Sequence, residues 1–125
     1  MHVEHDDRTG HLKRVSYLDE DGNLHNPIDP ALKIYNTENG LLSEERWMFR
    51  GVLQREESLG AAWKIYDSED TGNLQTELFY AGGLLHRYHG DAIFHYNSKN
   101  GEIVKTEFYK FGKQQDFPSN EIEPK

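Results

Sequence analysis

Residues 83–96 read GLLHRYHGDAIFHY, and the spacing of this stretch occurs twice more along the chain. Gly22 opens GNLHN and Gly51 opens GVLQR, where Gly83 opens GLLHR. Each stretch continues to an alanine that precedes a tyrosine by four residues, in the pairs Ala31 and Tyr35, Ala62 and Tyr66, and Ala92 and Tyr96. A spacing that recurs three times in 125 residues indicates a tandem repeat, whose units bury their side chains by stacking on one another.

A second glycine-led segment alternates with the first. It has an aliphatic residue two places after the glycine and an aromatic residue seven places after it. The glycines are Gly10, Gly40, Gly72 and Gly101, and the aromatic residues are Tyr17, Trp47, Phe79 and Phe108. This register divides residues 10–112 into a half repeat, 10–21, and three whole repeats, 22–50, 51–82 and 83–111, with a small insertion around 57–60. Residues 1–9 are charged and contain histidine, 113–125 are polar, and both lack the pattern, so flexible tails are predicted at both ends.

Both segments of the repeat have the character of β-strands. They are short runs rich in β-branched and aromatic residues, and the runs end at Asp-Gly, Asn-Gly, Thr-Gly and Gly-Gly. Alternation along a strand places Ile65 on one face and Tyr66 on the other, with their equivalents in the other repeats. We therefore predict an all-β fold, an antiparallel meander of about seven strands built from three and a half tandem β-hairpin repeats.

The repeat resembles a known family. Its G-x-L-H-R turn, its strand with a small residue four places before a tyrosine, and its Asn-Gly turn are similar to those of MORN-like repeats, most clearly over residues 83–109. The resemblance covers roughly residues 10–112, although the unit is longer than a true MORN repeat. It implies a β-hairpin array that binds other molecules, and it implies no catalytic residues.

Composition limits the classes of function. The chain has 14 basic and 22 acidic residues, a net charge of −8, which opposes direct binding to nucleic acid or to anionic lipid. The absence of cysteine excludes a disulfide framework, a thiol nucleophile and a thiolate metal site. No run approaches the roughly 18 apolar residues of a membrane helix, and residues 1–10 lack the features of a signal peptide. We therefore expect a cytoplasmic protein without a cofactor.

The histidines suggest metal binding, but a simpler interpretation is favoured. His86, His89 and His95 have the donors for a zinc ion. However, His86 matches His25 in the first repeat, and His95 takes the place of isoleucine in the other repeats, so packing roles are predicted. A second group of His, Asp and Glu side chains within residues 2–11 is predicted to be a solvated tail, because ordering it costs roughly 1–2 kcal/mol per residue.

The carboxylates Glu45, Glu77 and Glu107 suggest a hydrolase. Glycosidase chemistry needs two carboxyl groups that face each other across a cleft. A repeat places equivalent side chains side by side on a flat sheet, so an exposed ladder is predicted and no enzyme activity is expected.

An aromatic stripe with flanking cations is the predicted contact surface. The stripe contains Trp47, Phe79 and Phe108, with Tyr80 and Tyr109 alongside. The cations are Arg46, Arg50, Arg55 and Arg87, and the histidine-bearing turns add His25 and His86. Large aromatics beside arginines have the composition of interface hot spots. The sequence therefore predicts a non-catalytic module that docks another protein on this sheet face, as a monomer or as a homodimer through an edge strand.

The negative charge supports an alternative function. A small acidic protein can occupy the basic nucleic-acid groove of an enzyme, as an antitoxin-like or phage anti-defence (anti-CRISPR-like) inhibitor does. Such an inhibitor needs carboxylates concentrated on one side, and its complex weakens as salt rises. A module that docks through aromatic side chains has little salt dependence.

Overall fold

The computed structural model of the chain describes residues 1–115, which are all-β and antiparallel. The strands of this part are β1 (His2–His5), β2 (Leu12–Ser16), β3 (Leu32–Tyr35), β4 (Leu42–Arg46), β5 (Met48–Phe49), β6 (Val52–Leu53), β7 (Trp63–Tyr66), β8 (Leu74–Leu78), β9 (Tyr80–Ala81), β10 (Leu84–Leu85), β11 (Ile93–Tyr96), β12 (Ile103–Lys110) and β13 (Lys113–Gln115). No helix occurs within residues 1–115, and hence none there that is long and apolar enough to cross a membrane.

Nine of the strands form one sheet in the order β1-β2-β3-β4-β7-β8-β11-β12-β13. Two short ladders, β5 with β6 and β9 with β10, lie outside it. The predicted all-β antiparallel class is confirmed. The predicted number of about seven strands is too low, because β1 and β13 extend the sheet at its ends and the two-residue ladders form separately.

The long hairpins have a common register. Lys33 lies opposite Glu45 in β3–β4, Lys64 lies opposite Glu77 in β7–β8, and Phe94 lies opposite Thr106 in β11–β12. The register shifts just before the last tyrosine of β3, β7 and β11. Each hairpin then turns through a glycine with φ between 77° and 80°, at Gly40, Gly72 and Gly101, where an L side chain would be strained.

Four short hairpins form a second row of ribbons. They are closed by the bridge between Leu18 and Leu24 and by the pairings β5–β6, β9–β10 and β12–β13. The N–H of Gly51 donates to Leu24 O at 2.7 Å, that of Gly83 to Leu53 O at 2.9 Å, and that of Gly112 to Leu85 O at 2.7 Å. Each short hairpin is thus bonded to the preceding one, as each long hairpin is paired with its neighbour in the sheet.

The core is thin and lies where the two rows meet. Its small members are Ala31, Ala61, Ala62 and Ala92, and its large members are Leu32, Trp47, Phe79, Ile93 and Phe108. Phe79 packs with Ala61 and Ala92, and Phe94 and Tyr109 cover this group. The alanine side chains leave room for the aromatic rings between the ribbons, which explains the small residue of the repeat.

The two ends of the described chain differ from the sequence prediction. A flexible tail was predicted for residues 1–9, whereas His2–His5 forms β1 and pairs with β2 in the register of the later hairpins, with Val3 opposite Val15. The Asp6 carboxylate accepts the N–H groups of Arg8 and Thr9 at 2.9 and 2.8 Å, so turn chemistry closes this hairpin although its strand lacks an apolar pattern. At the other end Lys113–Gln115 forms β13, and residues 116–125 of the predicted tail lie outside the described part.

Candidate functional site

An open cleft of about 630 Å³ lies between two neighbouring loops, residues 54–58 after β6 and residues 86–89 after β10. Its lining includes five of the residues predicted to bind a partner, namely Arg55, Phe79, Tyr80, His86 and Arg87. We call this feature the loop cleft. It brings together residues of two different repeats because neighbouring short hairpins are stacked.

Two arginines support the loop cleft by stacking on buried rings. The guanidinium carbon of Arg55 lies 3.9 Å from the Trp47 ring centroid, and that of Arg87 lies 4.2 Å from the Phe79 ring centroid. Nη1 of Arg55 donates to Ala61 O at 3.1 Å, and Nη1 of Arg87 donates to Asp91 O at 3.3 Å. Burial lowers the pKa of Arg55, and the charges of Glu45 and Glu77 oppose that shift. The arginine side chains therefore cover the aromatic core and form one wall of the cleft.

Glu57 joins the two loops. Its carboxylate accepts the N–H of Tyr88 at 2.7 Å and that of His89 at 3.2 Å, and Nδ1 of His89 lies 3.0 Å from it. Burial by itself raises the pKa of Glu57, but the hydrogen bonds from Tyr88 and His89 outweigh it and hold this pKa below its usual value. Glu57 is thus an ionised bridge that fixes the width of the loop cleft.

Glu57, Ser58, Tyr88 and His89 line the cleft and were not among the predicted contact residues. The insertion at residues 57–60 of the middle repeat was the available signal, since extra residues in one repeat lengthen one loop on one face. The pattern did not reveal that Glu57 reaches the loop of the next repeat.

The predicted docking aromatics are mostly core residues, which corrects the sequence analysis. Trp47, Phe79 and Phe108 are only 8%, 7% and 6% exposed. Their rings are covered by cations, with Nζ of Lys110 5.3 Å from the Phe108 ring centroid and arginines over the other two. The same aromatic and cationic composition that is typical of an interface here serves internal packing.

The predicted contact residues are divided between the two faces of the sheet. Tyr80 lies 6.3 Å from Trp63, centroid to centroid, and the guanidinium of Arg46 lies 4.3 Å from the Trp63 ring centroid. The next residue, Lys64, lies instead near the Trp47 ring, at 5.6 Å. Because successive side chains of a strand alternate, the Tyr80 and Arg46 side chains lie on the face opposite Trp47. The single aromatic and arginine face predicted from the sequence is therefore not present.

His25 and His86 cap the turn of the next short hairpin. Nδ1 of His25 accepts the N–H of Arg50 at 2.9 Å, and Nδ1 of His86 accepts the N–H of Phe111 at 3.0 Å. Gln54 makes the equivalent bond to the N–H of Gly82. The three donors all have positive φ, 47° for Arg50, 57° for Gly82 and 48° for Phe111, so each cap holds a backbone conformation that L residues rarely adopt.

His86 is unsuited to direct contact with a partner. It is 2% exposed. Its ring stacks on that of Phe111 with the centroids 3.9 Å apart, and the Tyr88 ring lies edge-on with its centroid 4.2 Å away. Burial, together with the charge of Lys110, lowers the pKa of His86. The neutral ring is the form whose Nδ1 can accept the Phe111 N–H. The predicted contact role of His86 is thus corrected to a structural one, whereas Arg50 is exposed on its turn.

The carboxylates do not face one another across a cleft. Glu45 and Glu77 accept the hydroxyls of Tyr66 and Tyr96, each at 2.5 Å, and flank Lys64 on one face of the sheet. Glu107 lies opposite Ile93 and bonds Nε2 of His95 at 2.8 Å, on the other face. Burial, and to a smaller extent the hydrogen bond to a carboxylate, raises the pKa of Tyr66 and of Tyr96. Within residues 1–115 no three His, Asp or Glu side chains are placed to share a metal ion.

Negative charge is concentrated along the side of the sheet where the strands end in hairpin turns. The four turns 6–10, 36–40, 67–72 and 97–102 stack there. Adjacent turns are joined by side chains, as where Asn36 Nδ2 donates to Ser68 O at 3.0 Å and Ser98 Oγ donates to Asp67 at 2.6 Å. The turns carry seven carboxylates and two cations, a net charge of −5. We call these turns the acidic edge.

Comparison of the chain with protein-family models, with curated proteins and with solved structures finds no match. The resemblance to MORN-like repeats thus rests on the residues of the chain alone.

Proposed function

We propose that this chain is a non-catalytic protein-binding module, built from three and a half MORN-like hairpin repeats, which receives a segment of its partner in the loop cleft. The observation that carries the proposal is the cleft itself, which is lined by Tyr88 and flanked by Arg55 and Arg87. Its volume of about 630 Å³ suits a few side chains of a partner segment.

The rigidity of the cleft favours binding. Glu57 ties residues 54–58 to residues 86–89 through two backbone N–H groups, and both arginines are fixed by ring stacking and a carbonyl bond. A preformed site spares the partner the cost of ordering these loops. The stacked arginine side chains also offer flat, weakly hydrated surface to an incoming group.

Selection of short peptides tests the proposal. A random 12-residue peptide library displayed on phage is selected against the full chain, and enriched peptides are measured by fluorescence anisotropy. Ser58 is exposed at the cleft, and Ser58→Arg places a long charged side chain there. The expected result is at least a tenfold loss of affinity for Ser58→Arg and no loss for Asp7→Arg, which introduces the same side chain at the acidic edge. Enriched peptides that bind Ser58→Arg as well as the original chain would overturn the proposal.

A second candidate function, a small acidic inhibitor of a nucleic-acid-binding enzyme, is favoured by the acidic edge. Stacking of the four turns brings together groups with a net charge of −5, out of −8 for the whole chain. Such a concentration of like charge is the feature that a basic groove recognises.

The acidic inhibitor makes a different prediction about salt. A panel of purified nucleases is incubated with labelled DNA and the chain, and release of DNA is measured from 50 to 300 mM NaCl. The inhibitor function requires release that falls steeply with salt and that Asp7→Arg weakens more than Ser58→Arg. Release that is absent, or that is the same for both variants, excludes it.

A further inference from the structure

One long edge of the sheet is open at β12. On its inner side β12 pairs with β11, and on its outer side β13 covers only Phe108–Lys110. Within residues 1–115 no strand pairs with the outer side of 103–107. Ile103 and Val104 are 57% and 68% exposed there. Exposed apolar residues on an unpaired strand are a template for a further strand.

The opposite edge of the sheet is β1. It pairs with β2 on one side, no strand within the described residues pairs with its other side, and all four of its residues are exposed. Both open edges therefore offer backbone N–H and C=O groups for pairing.

Successive long hairpins are paired inside the sheet, and we call these strand pairings between hairpins the internal joints. They define how the two open edges fit together. In the hairpins, Val3 opposite Val15 corresponds to Lys33 opposite Glu45 and to the equivalent pairs further on. By this correspondence β1 matches β3, β7 and β11, while residues 103–107 match β2, β4 and β8. The three internal joints β2–β3, β4–β7 and β8–β11 pair the same two kinds of strand that residues 103–107 and β1 represent.

We propose that the chain associates head to tail, with β1 of a second copy adding to the open edge of β12 in the register of the internal joints. In those joints Glu44 lies opposite Ile65 and Thr76 opposite His95. The same register places Glu4 of the second copy opposite Lys105.

The chemistry of the new joint is complementary. Glu4 and Lys105 form an opposite-charge pair, and Val3 of the second copy lies opposite the β-branched Thr106. Cross-strand pairs of both kinds stabilise antiparallel sheets. Glu107, which already bonds His95, lies opposite His2 of the second copy.

The hairpin turns support the same joint independently. Asn36 and Asn39 donate their side-chain amides across the joint to Ser68 O, at 3.0 and 2.7 Å. The last turn repeats the sequence spacing with Asn97 and Asn100, whose Oδ1 atoms cap the turn in the same way. In the head-to-tail joint their amides face the carbonyl of Asp7 of the second copy, which is the position equivalent to Ser68.

The interface is heterologous, because one end of the chain binds the other end. Its repetition gives an open chain of copies, since the sheet extends in one direction without closing. The acidic edges of successive copies align, so their repulsion opposes assembly. Salt screens this repulsion and therefore strengthens assembly.

Sedimentation velocity of the full chain tests the proposal, from 5 to 500 µM at 0.15 and 0.5 M NaCl. The weight-average mass is expected to rise with concentration beyond twice the 14.6 kDa of one chain and to rise more at the higher salt. Lys105→Glu and Glu4→Lys each place like charges opposite one another and are expected to weaken association roughly tenfold. The double variant Glu4→Lys, Lys105→Glu restores the pair and the association.

Each variant is checked for folding by circular dichroism, and both substituted positions are on exposed strand surface. A mass of one chain at every concentration would show that the edge binds no second copy. A mass that stops at two chains would indicate a symmetric dimer. Either result, or failure of the double variant to recover association, overturns the head-to-tail joint.

Discussion

Arg87 lies over the ring of Phe79, with its guanidinium carbon 4.2 Å from the ring centroid. Arg55 has the same relationship to Trp47 one repeat earlier. The arginine and the aromatic ring are eight residues apart in both cases, so the contact belongs to the repeat and not to one site. Residues whose composition is typical of a binding surface thus pair with one another inside the fold, and both arginines also line the loop cleft.

The first prediction concerns this stacking. Arg87→Ala removes the cation–π contact and the bond to Asp91 O, and should lower the free energy of unfolding by about 2 kcal/mol. Arg14→Ala is the control, because Arg14 makes a long ion pair with Glu4, at 3.9 Å, and no other ion pair within residues 1–115. Urea unfolding followed by circular dichroism measures both. Equal stability of the two variants would mean that the stack contributes nothing.

The second prediction concerns the hydroxyls that bond to carboxylates. Tyr96→Phe removes the 2.5 Å bond to Glu77 and leaves that partly buried carboxylate without this donor, at an expected cost of about 2 kcal/mol. Tyr35→Phe is the matched control, since the position on β2 equivalent to Glu77 is Val15, which offers no acceptor. Thermal or urea unfolding compares the two variants. A loss of stability in Tyr35→Phe as large as in Tyr96→Phe contradicts the assignment.

The third prediction concerns the short-hairpin turns. Gly82 has φ of 57° and open space around its Cα, so Gly82→Ala tests backbone strain alone and should cost about 1 kcal/mol. At the equivalent position Arg50 already has φ of 47° as an L residue, so Arg50→Ala should change stability little. Urea unfolding midpoints of the two variants are compared. The assignment fails if Gly82→Ala is as stable as the original chain.

The fourth prediction concerns pH. Burial and the nearby Lys110 charge hold the pKa of His86 below its usual value, so the unfolded chain takes up a proton at this residue before the folded chain does. Stability is therefore fully present above the unfolded pKa of about 6.5 and is lost as pH falls through the lower folded pKa.

His86→Gln tests this dependence, because glutamine occupies the equivalent position at Gln54 and caps the turn there. The variant should keep the Phe111 N–H bonded and lose part of the decrease in stability between pH 7 and pH 5. Urea unfolding at a series of pH values measures the slope. An unchanged slope would show that His86 takes up its proton over the same pH range in the folded and the unfolded chain.

The strand regions and turns were readable from the sequence because their signals are local. Asn-Gly and Asp-Gly turns and the alternation in residues 32–35 or 63–66 depend on neighbours in the chain, and the all-β antiparallel class followed from them. β1 was missed because His2–His5 carries no apolar alternation, although the turn at Asp6–Gly10 has the same spacing as Asn36–Gly40. The turn signal was present, and the strand signal was not.

The candidate site was readable only in part. Arg55 and Arg87 were identified from the repeat, but Glu57 and its bonds to the loop at Tyr88 join residues 31 positions apart. Sequence spacing does not predict which loops meet at that distance. Trp47 and Phe79 were assigned to a docking face because their composition cannot distinguish internal cation–π packing from an interface.

The sequence by itself determined the repeat spacing, the strand class and the turns, because these depend on backbone preferences and side-chain alternation within a few residues. The tertiary structure alone decided which aromatic rings are buried, how Glu57 spans two loops and which strand edges stay open. Those features arise from the stacking of ribbons that are about thirty residues apart in the chain, and burial is a property of what lies above a side chain in space.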